Sequence, residues 1–138
     1  MKASLLFYPE SCKKMSMVCS YLNTTLEGKT ERIPPAYNPE NQRLVIMAIK
    51  QGKNATDEIV RFCREINKKR SANVAFIFDA PAETQKVIMD SCREAGTNVI
   101  DDVLELKTSG LPFMVKFTDE EKKAASEWLE KVQGKLIG

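Results

Sequence analysis

The sequence predicts a single α/β domain over residues 1–138, built as a doubly wound, mostly parallel five-stranded sheet. Three observations carry this. Strand-like and helix-like stretches alternate along the chain, the pattern that puts helices on both faces of a parallel sheet. Two continuous apolar runs, RLVIMAI (43–49) and ANVAFIF (72–78), lack the in–out alternation of a half-solvated strand and read as strands buried on both faces. No internal repeat or linker divides the chain, and its length suits one domain with its own core.

The elements follow in the order β-α-β-β-α-β-α-β-α. Residues 3–8 (ASLLFY) form a buried strand, and a helix over 12–27 follows. Met15, Val18, Cys19, Leu22 and Leu26 recur there at the helical period, with Gly28 as the stop. A weak strand at 30–33 ends at Pro34-Pro35, and PAYNPEN is a loop. About nine residues join this strand to the next, fewer than a parallel crossover through a helix takes. The second helix is therefore expected to be reduced to a loop. A helix over 56–69 places Ile59, Phe62, Cys63 and Ile66 on one face. DAPAET leads into a helix at 82–95 carrying Val87, Ile88, Cys92 and Ala95, with Gly96 as its stop. NVIDDVLEL (98–106) makes the fifth strand. LPFMVKF (111–117) alternates Leu111, Phe113, Val115 and Phe117, and reads equally as an edge hairpin or a packed loop. The closing helix, 119–133, starts at the capping box Thr118-x-x-Glu121 and turns Ala125, Trp128, Leu129 and Val132 inward.

Composition removes several function classes. Twenty-one basic against 19 acidic residues leave a net charge of +2, a nearly balanced surface. Nucleic-acid binding asks for a larger basic excess with interleaved aromatics, so no such partner is expected. The basic clusters are Lys13-Lys14, Lys50 with Lys53, and REINKKR, the last read as a helix end where cations complement the dipole. No apolar run approaches a membrane span. The segment MKASLLFYPES has one lysine and too short an apolar stretch for a secretory signal. A cytoplasmic protein without membrane contact is expected. Histidine is absent, which removes Ser-His-Asp and Cys-His catalysis. The four cysteines, Cys12, Cys19, Cys63 and Cys92, contain no C-x-x-C pair, which removes the usual zinc spacings. Cys19, Cys63 and Cys92 fall on apolar helix faces and read as buried reduced thiols. Cys12 lies in the loop after the first strand.

That loop sits in LLFYPESCKKMSMVCSYL (5–22), where an apolar strand opens through a short polar stretch directly into a helix. Such a helix N-terminus is a place where α/β proteins hold phosphate. Five strands, this opening and about 140 residues together resemble a flavodoxin, and FTDEEKKAASEWLEKV is similar to that family's final helix. The resemblance covers the whole chain in order and spacing. It implies the sheet order 2-1-3-4-5, with flavin mononucleotide (FMN) at the carboxyl ends of the strands beside the switch between strands one and three. The family's phosphate loop has a pattern close to Ser/Thr-x-Thr-Gly-x-Thr. Against it Pro9 takes the first hydroxyl position, Ser11 the second, Cys12 the glycine, Lys13 the variable position and Lys14 the last threonine. Only Ser11 keeps its chemistry. The resemblance thus carries over Ser11, Cys12, Lys13 and Lys14 as cofactor-binding residues, with Lys13 and Lys14 bringing charge in place of hydroxyls. The alternative is that both lysines are solvated first-turn residues. Gly52 is carried over as the peptide beside the flavin ring. The loops KQGKNAT and DAPAET hold no aromatic residue, which leaves Tyr8 and Tyr37 as candidates for stacking.

Three readings of function remain open. The first is an FMN-binding electron carrier with a redox partner protein, which needs no acid or base of its own. The second is a flavin-free domain of the same fold with a binding or regulatory role, favoured by the altered loop and the balanced charge. The third is thiol-based redox activity at Cys12, since a helix N-terminus beside two lysines is an environment that lowers a thiol pKa. A phosphatase loop would need an arginine where Val18 stands, and a receiver domain would need an acidic cluster that is absent. An electron-transfer or binding protein is expected rather than a stand-alone enzyme.

Overall fold

The computed structural model describes residues 1–109 and 114–138. Its elements are β1 (Ala3–Tyr8), α1 (Lys13–Leu26), β2 (Lys29–Arg32), β3 (Gln42–Lys50), α2 (Asp57–Glu65), β4 (Ser71–Asp79), α3 (Ala82–Ala95), β5 (Asn98–Val99), β6 (Leu104–Glu105) and α4 (Asp119–Gln133). All strand pairings are parallel, in the order β2-β1-β3-β4-β5, and β6 also pairs with β4. Successive side chains of a strand point to opposite faces, so the continuous apolar runs of β3 and β4 feed two cores. Leu44, Ile46, Ala48, Ala75 and Ile77 pack with α1 and α4 on one face. Val45, Met47, Ile49, Val74, Phe76 and Phe78 pack with α2 and α3 on the other. Phe76 and Phe78 are two apart on β4, share a face, and stack with ring centroids 5.0 Å apart. Among the described residues no helix is long and apolar enough to cross a membrane.

The second helix is a loop, as expected. Residues 33–41 carry the chain from β2 to β3, which lie on opposite sides of β1. Nine extended residues reach roughly 30 Å, more than the roughly 20 Å length of a six-residue strand. Ile33 anchors the start, its N–H on the Phe7 carbonyl and its side chain in the α2–α3 core.

Three expectations need correction. The helix read over 56–69 stops at Glu65, because the Asn67 side chain accepts the N–H groups of Lys69 and Arg70 and turns the chain. Of REINKKR, Arg64 therefore lies in the last turn of the helix, while Lys68, Lys69 and Arg70 lie in the turn beyond it. The fifth strand is interrupted. Four residues, 100–103, stand opposite only Ala75 and Phe76, and the bulge directs Asp101 to Arg93 and Asp102 to Lys135. Gly28 is not the left-handed residue at the end of α1; Glu27 is, at φ 53°. Gly28 is needed because a Cβ there would overlap the Ala3 carbonyl, and the Asn23 amide holds its N–H and C=O. Of the segment 111–117, residues 111–113 lie outside the described residues, and 114–117 form no strand.

Candidate functional site

The sheet changes its direction of growth between β1 and β3, so the connections leaving their carboxyl ends diverge and open a crevice. A cavity of about 460 Å³ lies there, within the range of small-ligand sites. Three stretches of chain line it. The first is the β1–α1 connection with the start of α1, through Pro9 and Ser11 to Lys14; the second is Lys50 at the end of β3; the third, beyond β6, is made of Lys107, Thr108 and Ser109 with Met114, Val115 and Lys116.

Local structure explains each wall. Residues 9–12 form a tight turn closed by the Cys12 N–H on the Pro9 carbonyl, 3.0 Å apart. The connection is therefore too short to wrap an anion, and one amide is used internally. Helix α1 starts at Cys12, whose side chain makes no capping bond, and its first turn contains no acid. The other N-termini differ. α2 has Asp57 and Glu58, α3 has Glu83, and α4 has Asp119, Glu120 and Glu121. The positive end of the α1 dipole, whose first-turn N–H groups have no intrahelical acceptor, thus carries two lysines and no compensating acid of its own.

Beyond β6 the chain turns back over the sheet edge. Leu106 donates to the Phe78 carbonyl, and Asp79 accepts both the N–H (2.9 Å) and the hydroxyl (2.6 Å) of Thr108. From there it reaches α1. The Lys14 ammonium donates to the Lys107 carbonyl and to Glu121 Oε2 of α4, each at 2.6 Å. Glu121 also closes the predicted capping box with Thr118. Burial works to raise the Glu121 carboxyl pKa, but the hydrogen bond from Lys14 and the Thr118 N–H outweigh it and hold the group below its ordinary value.

Of the residues expected in the site, Ser11, Cys12, Lys13 and Lys14 come together in the crevice and Gly52 does not. Lys14 is buried rather than solvated, and its ammonium is already held by two acceptors. Ser11 and Lys13 are exposed, and Cys12 is half-buried against the α1–α4 core. Gly52 is exposed, with its carbonyl 2.9 Å from the Thr84 hydroxyl, which also holds the Lys53 carbonyl. Tyr8 packs on the α2–α3 side, and Tyr37, 86% exposed, lies in the β2–β3 link. Neither ring lines the crevice. Sequence reading gave Lys107, Thr108 and Lys116 no part in the site, and noted Lys50 only as part of a basic cluster. Their signal was their place just after a strand end or before the last helix, in a fold whose strands all end on one edge.

The crevice is thus lined by Lys13, Lys14, Lys50, Lys107 and Lys116, with Ser11, Thr108 and Ser109 as hydroxyl groups and, among the described residues, no carboxylate. Pro9, Met114 and Val115 supply apolar surface. A larger depression, about 590 Å³, lies at the opposite end of β1 but mixes Lys2 and Lys29 with Glu27, Glu31 and Glu40, so it presents no field of one sign. Among the described residues no cluster of potential metal ligands occurs.

No protein-family model matches the chain, and no curated protein matches it. Solved structures do. A flavodoxin of Streptococcus pneumoniae TIGR4 superposes with a TM-score of 0.62 at 13% identity, over 98% of this chain and 99% of that one. A short-chain flavodoxin associated with a non-canonical PDU bacterial microcompartment gives 0.57 at 11% identity, over 96% of each chain. The likeness spans the whole chain and lies in the fold.

Proposed function

We propose that this domain of flavodoxin-like fold binds FMN in the lysine-lined crevice and acts in the cytoplasm as an electron carrier for a redox partner protein. One observation carries the reading: five lysines and the uncapped N-terminus of α1 converge, without a lining carboxylate among the described residues, where β1 and β3 diverge. Such a gathering of positive charge suits an anion, at the position where this architecture takes its ligands. FMN supplies the redox chemistry of such a carrier when bound. The part of this chain is to hold it. Lys13, Ser11 and the first-turn amides of α1 face the phosphate, and Pro9, Met114 and Val115 give the ring apolar surface. Lys14 acts one step back, by joining α1 to the segment at Lys107 and to α4.

The test is a titration of the protein with FMN, followed by flavin fluorescence, with riboflavin as the phosphate-free control. Saturable binding of FMN, with riboflavin weaker by about tenfold or more, is expected if charged contacts to phosphate contribute as they ordinarily do. Lys13→Ala should weaken FMN and leave riboflavin unchanged. No saturable binding, or equal binding of the two flavins, would refute the reading. The flavin-free role would then lead, and the absence of aromatic lining among the described residues and the tethered Gly52 peptide are the observations that favour it.

A further inference from the structure

The crevice holds more positive charge than one phosphate needs. Of its five lysines only Lys14 has an ion-pair partner among the described residues, which leaves Lys13, Lys50, Lys107 and Lys116. A phosphate monoester brings at most about two negative charges at neutral pH. With such a group bound, two ammonium charges would remain uncompensated around one small cavity. The four lysines come from separate stretches of chain: Lys13 starts α1, Lys50 ends β3, and Lys107 and Lys116 lie beyond β6. The chain at Lys107 is tied to α1 through the Lys14 bond to the Lys107 carbonyl, and at Thr108 to β4 through Asp79.

We propose that the crevice accepts a terminal diphosphate group, the chemistry shared by a nucleoside diphosphate and free pyrophosphate. The first phosphoryl group lies at Lys13 and the start of α1, and the second at Lys107 and Lys116. Such a group carries about three negative charges, closer to the four available lysines than a monophosphate comes. The inference deepens the anion part of the function proposed above: it rests on the crevice holding a phosphoryl group but not on a flavin being attached to it. Its consequence is regulatory, because diphosphates compete with FMN for the same side chains.

Calorimetric titration of the full chain with inorganic phosphate, pyrophosphate and ADP, at constant ionic strength, tests this. Pyrophosphate should bind tighter than phosphate by roughly tenfold or more, the weight of one further charge-assisted contact. Tighter binding of ADP than of pyrophosphate marks a nucleotide as the source, and the reverse marks the free anion. In the double variant Lys107→Ala/Lys116→Ala, both sites being exposed, the ratio of pyrophosphate to phosphate affinity should fall to about one. Equal affinities in the native protein, or a preference that survives in the double variant, would overturn the proposal. The FMN titration separates the two ideas. Loss of FMN binding with the pyrophosphate preference intact sinks only the flavin, and saturable FMN without that preference sinks only the diphosphate.

Discussion

Replacing Lys14 with methionine keeps the apolar stem of a side chain that is 9% exposed and removes its ammonium. Two bonds of 2.6 Å are lost, to Glu121 and to the Lys107 carbonyl. Stripping one partner from a fully buried pair costs about 3–5 kcal/mol. Here Glu121 stays 23% exposed and still accepts the Thr118 N–H, so water and the cap recover part of the loss. About 2 kcal/mol is the expected destabilisation. For 138 residues the unfolding entropy is about 0.3 kcal/mol/K, which converts that loss to a fall in Tm of about 7 °C. Calorimetric melting at neutral pH measures it, and a fall below about 2 °C would show an ammonium screened by solvent. A pH series gives a second check. The Glu121 pKa is depressed in the folded protein, so the stability it contributes is present above the unfolded carboxyl pKa and is lost as pH falls through the folded value. The gap between native and Lys14→Met proteins should therefore narrow on acidification. A gap that stays constant into acid would assign the whole effect to the Lys107 carbonyl.

Two other predictions concern the scaffold. Gly28→Ala drives a methyl group into the Ala3 carbonyl, backbone that cannot withdraw without disturbing the pairing of Ser4 with Lys29. It should cost about 2–4 kcal/mol by urea unfolding, and a loss under about 1 kcal/mol would contradict the close approach. A colorimetric thiol titration at mildly alkaline pH should find Cys12 alone reactive in the native protein, and all four cysteines after denaturation. Burial pushes the Cys19 thiol up to about 12, and the hydrogen bond with Cys63, together with burial, raises Cys92. A second fast thiol in the native state would mean that a helix face opens readily.

The elements most legible in the sequence are those whose determinants are local. The runs 43–49 and 72–78 give β3 and β4 to within one residue at each end, because strands buried on both faces leave no polar interruption. Helix α4 matches its expected range because Thr118 and Glu121 mark its start, and α3 because Gly96 takes the left-handed position at its end, φ 100°. Two misreadings share a cause. Asp101 and Asp102 break the fifth strand in favour of Arg93 and Lys135, partners that an apolar pattern does not reveal. Lys14 read as a first-turn residue, solvated or on a phosphate, because Glu121, 107 residues away, is invisible at the scale of a motif. The site was legible only on its α1 side, from Ser11 to Lys14, where one continuous stretch supplies one wall.

The rest of the site follows from parallel topology. When every strand runs the same way, residues just past their carboxyl ends become neighbours whatever their separation in the chain. Lys13, Lys50 and Lys107 share a cavity for that reason. The short turn at 9–12 then decides what kind of site forms. A loop that wraps phosphate works through directed amides and hydroxyls, and here the Cys12 amide is spent closing the turn while Pro9 has none to give. What remains is charge converging from several strands. Ammonium groups act as point charges on flexible stems and impose little geometry on an anion. A site of this construction would select by charge more than by shape, which is why the altered loop chemistry is compatible with the proposed anion binding in one chain.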